Sequence, residues 1–280
     1  MGQKIEGRGG WTIERYLSQY TAYVRGVSPF LFPKGVPADT YYGDYKFICR
    51  GLSKYTYDPY LYDGFKLVPM EKGQICLFNS KLYAKDESGK LVPVEAAPEF
   101  EFDYAKYLEK NKLPAPNAVS LLFGANEMQK VPMDKSASEF AVEMTLNNFK
   151  TLIAGIRRAV PDTLIIINLP VLGAEQYAWG IRLGCNWSNG MYRFHILKLC
   201  AALLKEFDGR EREGFFISPM LHTLDPRSGF DTQTVCSSAY ADAEITVQTN
   251  WVHPGEIGYA QMGDTLSGVI AHIKHIHEKR

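Results

Sequence analysis

The sequence predicts an α/β fold with a mostly parallel sheet covered on both faces, and three observations predict it. From Ala118 onward, short apolar runs alternate regularly with longer segments. One of those longer segments repeats its apolar residues at helical spacing. One of the short runs, "TLIIINLP", is dominated by β-branched side chains, which suit a pleated and buried strand. Such an alternation is what strands joined by crossover helices produce.

Taken in order, "AVSLLFG" from Ala118 reads as a short buried strand. "SASEFAVEMTLNNFKTLIAGIRRAV" follows as a helix, since Val142, Leu146, Phe149, Ile153, Ile156 and Val160 recur on one face. Ser136 with Glu139 forms a capping box at its start, and Pro161 ends it. "TLIIINLP" is the next strand, "GMYRFHILKLCAALLKEF" the next helix and "GFFISP" the third strand. "GEIGYAQMGDTLSGVIAHIKHI" is the last helix, opening after Pro254.

Residues 23–105 break this rhythm and read as an insertion within a single domain spanning residues 1–280. They are rich in tyrosine, glycine and proline. "KLVPMEKGQICLFNSKLYAKDESGKLVPV" alternates around two turn signals, "EKGQ" and "DESG", like a small antiparallel unit. Packing of a small β layer accounts for the tyrosines better than a sugar-binding surface does, because they follow no pattern.

Composition narrows the partners. With 31 Lys and Arg against 31 Asp and Glu, the net charge is zero, so no overall field favours nucleic acid or an anionic membrane. The longest apolar runs are too short to cross a bilayer. Five cysteines, Cys49, Cys76, Cys185, Cys200 and Cys236, are scattered without the paired spacing of a zinc or redox site and read as buried apolar residues. No cofactor is implied, and the composition leaves the compartment open.

In an open parallel sheet, ligands bind beyond the carboxyl ends of the strands, so residues just after a strand come first. "FGANE" places Asn126 after the first apolar strand, with a side-chain amide able to donate into the crevice. "QTNWVHPGEIGY" puts His253 in a loop before the final helix, held by Pro254. The turn "GRGGWT" sets Gly10 at a helix start, where unpaired backbone N–H groups face any developing negative charge. Singly each is ordinary: asparagines and glycines mark turns, and most histidines are structural. Together a histidine base, an asparagine amide and a glycine N–H are three of the four parts of an acyl-transfer site.

That ordered set resembles the SGNH or GDSL family of serine ester hydrolases. "GGWT" matches its glycine block with Gly10, "GANE" its asparagine block with Asn126, and "NWVH" its histidine block with His253. "FDYAKYLEKNK" and "VHPGEIGYAQMGD" are also similar to members of this family. The likeness covers roughly residues 1–22 and 100–276. It implies a flavodoxin-like three-layer sandwich, with the first strand apparently missing, and hydrolysis of carbohydrate acyl esters or other small esters by a serine–histidine mechanism. His253 would be the base, and Gly10 N–H and Asn126 Nδ2 the oxyanion donors.

Two departures from the pattern bear on that expectation. The family carries its nucleophile in a "GDS" block well ahead of the glycine turn, whereas only nine residues precede Gly10 here. "YYGDYK" offers no hydroxyl but tyrosine, and "GDTL" from Gly263 to Leu266 falls inside the last helix, so no serine can be assigned the role. A fragment, an inactive relative and a cloning scar at "IEGR" each explain the short start. Truncation is the expectation, because losing a central strand would expose backbone donors and acceptors on both neighbours. Second, Asn250 stands where the family usually has aspartate, three residues before His253. An Asn carbonyl can hold the ring but stabilises the imidazolium less. In trypsin-like enzymes the comparable change costs on the order of 10⁴ in turnover. Glu127, following Asn126, reads as a residue that fixes the loop.

His272, His275 and His277 cluster at the end of the last helix, where positive charge suits the helix dipole, and no acidic or cysteine partner accompanies them at ligand spacing. His195 in a helix and His222 in a loop have no partner legible in the sequence. The alternative to an esterase is a non-catalytic glycan-binding or assembly module using the same crevice.

Overall fold

A computed structural model of the chain describes residues 11–18, 28–35, 37, 41–44, 60–63, 66–69, 75–78, 81–85, 87–88, 91–93, 99–129, 131–132, 134–175, 189–238, 241–250 and 253–278. The chain divides into two compact units, residues 1–116 with 150–161 and residues 117–149 with 162–280. The helices are α1 (Ile13–Ser18), α2 (Tyr104–Lys110), α3 (Ala125–Met128), α4 (Lys135–Ala159), α5 (Asn189–Phe207), α6 (Met220–Thr223) and α7 (Glu256–Glu278). The strands are β1 (Leu31–Pro33), β2 (Tyr41–Asp44), β3 (Tyr60–Asp63), β4 (Lys66–Pro69), β5 (Ile75–Phe78), β6 (Lys81–Lys85), β7 (Leu91–Pro93), β8 (Phe100–Phe102), β9 (Ala118–Leu122), β10 (Leu164–Asn168), β11 (Phe215–Ser218), β12 (Thr232–Ser238) and β13 (Ala241–Gln248).

The second unit is the α/β fold that the alternation predicts. Its sheet runs β11-β10-β9, parallel throughout, with Ile166 opposite both Ser120 and Phe216. The β-branched run of β10 is buried from Ile165 to Asn168, as a central parallel strand must be. Helices cover both faces. Phe216 packs with Ile166 and, from α7, Ile273, whereas Phe215 meets Phe207 at the end of α5 with ring centroids 5.1 Å apart. Successive strand residues point to opposite faces, so α5 and α7 lie on opposite sides of the sheet. Among the described residues β9 pairs with β10 alone, and Leu122 at its end is 44% exposed.

The direction of α7 follows from its contacts. Val269, Ile273 and Ile276 pack near Leu164 and Ile166 at the start and middle of β10. Met262 and Leu266 pack on Val171, Ala174, Met220 and Leu224, which all follow a strand. The helix therefore runs antiparallel to the strands, and its first turn sits at their carboxyl edge.

One local expectation is corrected, and one element is new. The cap of α4 is Asp134 rather than Ser136: Asp134 Oδ2 accepts the Ala137 N–H at 2.7 Å and its carbonyl accepts the Ser138 N–H at 2.9 Å. Aspartate caps at least as well as serine, and the helix starts at the earlier cap. The hairpin of β12 and β13 carries no counterpart in the sequence reading. It is an antiparallel ribbon with Thr234 opposite Thr246 and a bulge between Cys236 and Ser238. Its second strand, "ADAEITVQ", alternates with period two, whereas "TQTVCSS" is polar apart from Val235 and Cys236.

In the first unit, β1 and β8 pair antiparallel, Leu31 opposite Phe102, and α1 packs against both. An aromatic cluster of Trp11, Tyr16, Phe30, Phe102, Tyr104 and Tyr107 joins them, with Phe30 and Tyr107 edge-on at 4.6 Å. Thr12 Oγ1 accepts the Arg15 N–H at the start of α1, and Asp103 caps α2 through the Lys106 N–H at 2.9 Å. The tyrosine-rich segment forms the sheet β2-β5-β6-β7 and the pair β3-β4. "DESG" joins the antiparallel strands β6 and β7, as its turn signal predicts. "EKGQ" lies outside the described residues, and β4 and β5 on either side of it belong to different sheets. The side chains of Tyr41, Tyr42, Tyr60, Tyr62 and Tyr83 also lie outside them.

His195 gains a partner that its sequence context does not show. Its Nδ1 and the Ser138 Oγ are 3.0 Å apart, both side chains fully buried, tying α5 to the first turn of α4. Burial holds the imidazole below its ordinary value of 6.5, against the opposing pull of the Val131 and Pro132 carbonyls. A histidine depressed in the folded state is protonated first in the unfolded chain. The stability its neutral form contributes is complete above about pH 6.5 and is lost as pH falls below that value. Urea denaturation should show stability declining as pH falls below about 6.5, with His195→Gln removing up to about 1.4 kcal/mol per pH unit of that slope. Identical slopes for the two proteins would remove His195 from the acid response.

Candidate active site

Asn126 follows β9 in the four-residue helix α3, whose entry is tightly specified. Gly124 caps it with φ of 117°, a conformation that glycine alone adopts without strain. A Cβ there would stand 2.7 Å from Leu199 Cδ2 and 2.9 Å from Pro170 Cγ, so the backbone approaches α5 and the end of β10 more closely than any side chain allows. Glu127 Oε2 accepts the Gly124 N–H at 2.9 Å, which makes Glu127 the loop-fixing residue the sequence suggests. Asn126 is half-buried on this braced turn.

His253 is held from both sides. Before it, Gln248 is buried and its Nε2 donates to the carbonyls of Pro226 and Arg227 at 2.7 and 2.9 Å, and Thr249 N–H donates to the Asp231 carbonyl. After it, Gly255 N–H donates to the Gly229 carbonyl at 2.9 Å, and a Cβ on Gly258 would collide with that same oxygen. The imidazole itself is exposed. Asn250 Oδ1 accepts the backbone N–H of His253 at 3.0 Å, so Asn250 builds the turn that carries the histidine and does so with one of its carbonyl oxygen's two lone pairs.

Because α3 follows the carboxyl end of β9, and α7 begins at the carboxyl edge of the strands, Asn126 and His253 stand at one edge of the sheet. Gly10 lies outside the described residues. Exposed Ile257 and Tyr259 add apolar surface on the first turn of α7, two turns or less from His253 in the chain.

Beneath this edge is a polar residue that the sequence reading missed. Asn168 ends β10, is 1% exposed, and its Nδ2 donates to Ser120 Oγ at 2.7 Å and to the Leu121 carbonyl at 3.0 Å. It clamps β10 to β9 where the chain turns toward Asn126. The signal was there: an asparagine closing a run of three isoleucines. Asn168 Oδ1 and the neighbouring Ser218 Oγ are buried without a hydrogen-bond partner. Cys200 is buried with its Sγ 3.8 Å from the Pro170 carbonyl, and burial pushes the thiol up to about 12; Cys236 is exposed. Among the described residues no three His, Cys, Asp or Glu side chains gather as a metal site, and no helix is long and apolar enough to cross a membrane.

No protein-family model matches the chain, and no curated protein matches it. Among solved structures it is similar to the crystal structure of a possible lipase from Chitinophaga pinensis, at 13% sequence identity and a TM-score of 0.40, over 61% of this chain and 78% of that one.

The close approach at Gly124 is testable by stability. Gly124→Ala should cost about 2–4 kcal/mol in urea denaturation, since it combines a strained φ with overpacking against Leu199 and Pro170. Gly209→Ala, whose φ is 73° and whose Cβ would meet nothing, carries only a milder backbone strain and should cost about 1 kcal/mol. Equal losses at the two positions would contradict the packing argument.

Proposed function

We propose that the chain carries the base and an oxyanion donor of a serine ester hydrolase acting on carbohydrate acyl esters or other small esters. The observation that carries this reading is the shared edge: an exposed histidine and a half-buried asparagine amide, each on a braced loop, at the carboxyl ends of parallel strands.

The roles follow from the chemistry. A serine Oγ attacks the ester carbonyl while His253 takes its proton. Asn126 Nδ2, with Gly10 N–H as the second donor implied by the family resemblance, holds the oxyanion. Collapse breaks the bond to the alkoxide, which takes its proton from His253, and water then releases the acyl group by the same steps. Asn250 shapes the His253 turn and supplies a neutral carbonyl rather than a carboxylate, which supports a dyad mechanism with a weakly stabilised imidazolium. The attacking serine is not assigned among these 280 residues. Apolar Ile257 and Tyr259 support a short acyl or aryl group rather than a charged one.

The test is hydrolysis of p-nitrophenyl acetate and an acetylated sugar by the chain carrying an added N-terminal strand that ends in Gly-Asp-Ser. The expected result is turnover that falls about 10³- to 10⁴-fold in His253→Ala and about 10²-fold or more in Asn126→Ala. Idle protein on every ester tried, or turnover indifferent to His253, would overturn the reading.

A further inference from the structure

The second unit carries a groove of about 420 Å³ between the outer edge of β11 and one flank of α7. Its floor is Phe216, Ile217 and Pro219. One wall is Asp208 and Glu211, and the other is α7 from Asp264 to His272.

Among the described residues the floor is a strand edge without a further β partner. Ile165 N–H donates to the Gly214 carbonyl and Leu169 N–H to the Ser218 carbonyl, so the even-numbered residues of β11 face β10. The odd-numbered residues therefore face outward. Phe215 confirms the parity, because its N–H turns the other way to the Arg210 carbonyl at 3.2 Å. The N–H and C=O of Ile217 are thus directed into the groove, and among the described residues β11 pairs with β10 alone. One outward residue offers the closely spaced pair of hydrogen bonds that a single residue of an added antiparallel strand completes.

The walls select by charge. Asp208, Glu211 and Asp264 are exposed carboxylates, and among the described residues no lysine or arginine lines the groove. Arg210, between Asp208 and Glu211 in the chain, is turned to Glu213 at 2.6 Å and to Glu206 at 3.6 Å, with its guanidinium over the Phe215 ring. Gly268 keeps the α7 wall low, since a Cβ there would meet nothing within 4 Å.

We propose that this groove is a docking site for an extended, lysine- or arginine-rich peptide segment of a partner protein, which adds to the β11 edge through Ile217 and sets its cations against Asp208, Glu211 and Asp264. Carboxylates on both walls of a strand edge also turn away acidic segments, so selectivity comes from repulsion as well as attraction.

The test is fluorescence anisotropy with the whole chain and two labelled hexapeptides, one alternating lysine with valine and its twin alternating glutamate with valine. The lysine peptide binds and the glutamate twin binds at least about 10-fold more weakly, and raising salt to about 0.5 M weakens the lysine peptide by a similar factor. Gly268→Trp fills the groove from an exposed helix position and lowers affinity about 10-fold or more, and Asp264→Lys does so by reversing a wall charge. Amide exchange at Ile217 slows in the bound state. No binding of the lysine peptide at about millimolar concentration, binding untouched by Gly268→Trp, or equal binding of the glutamate twin overturns the proposal. None of these outcomes depends on ester hydrolysis.

Discussion

Parallel pairing of β9, β10 and β11 is the constraint from which the arrangement of the second unit follows. Parallel strands cannot be joined by tight turns, so each is followed by a helix that returns to the opposite edge, and every strand ends on the same side. The chain must then leave the sheet in neighbouring loops. Those loops hold Asn126 after β9, and the first turn of α7 brings His253 to the same side. No side-chain interaction between Asn126 and His253 is needed to bring them to that edge; sheet geometry does it. Burial of β10 from Ile165 to Asn168, with α7 packed over Ile166, is what keeps the three strands in register.

The loops at that edge are shaped by backbone contacts that leave no space for side chains. Gly124 lies against Leu199 and Pro170, and Gly255 and Gly258 lie against the 229–231 segment. Polar side chains then spend their hydrogen bonds on the loop itself: Glu127 on the Gly124 N–H, Asn250 on the His253 N–H, Gln248 on two carbonyls. The division of labour is physical. Rigid loops present a side chain accurately.

Much of this was legible in the sequence because it depends on local pattern. The β-branched run of β10, the 3.6-residue recurrence of Phe149, Ile153 and Ile156, and the glycine at position 124 all act over a few residues. The α4 cap was misread by two residues, since serine and aspartate compete for the same N–H groups and only the coordinates decide between them. The β12–β13 ribbon was missed because its side chains are largely exposed and polar, which weakens the apolar alternation that marks a half-buried strand. The Ser138–His195 bond and the Asn168 clamp join residues 57 and 48 positions apart, and no local pattern carries such pairings. The opening turn with Gly10, on which the reading of a second oxyanion donor rests, lies outside the described residues.

The account's central claim is that the sheet delivers the Asn126 amide and the His253 imidazole to one reaction volume. A crystal structure of the second unit's carboxyl edge at high resolution measures this directly, as the separation of Asn126 Nδ2 from His253 Nε2. The account predicts about 10 Å or less, with both groups turned toward the same space above β9 and β10, close enough for one ester carbonyl to reach each. A clearly larger separation, or an imidazole turned to the opposite face of α7, would contradict it.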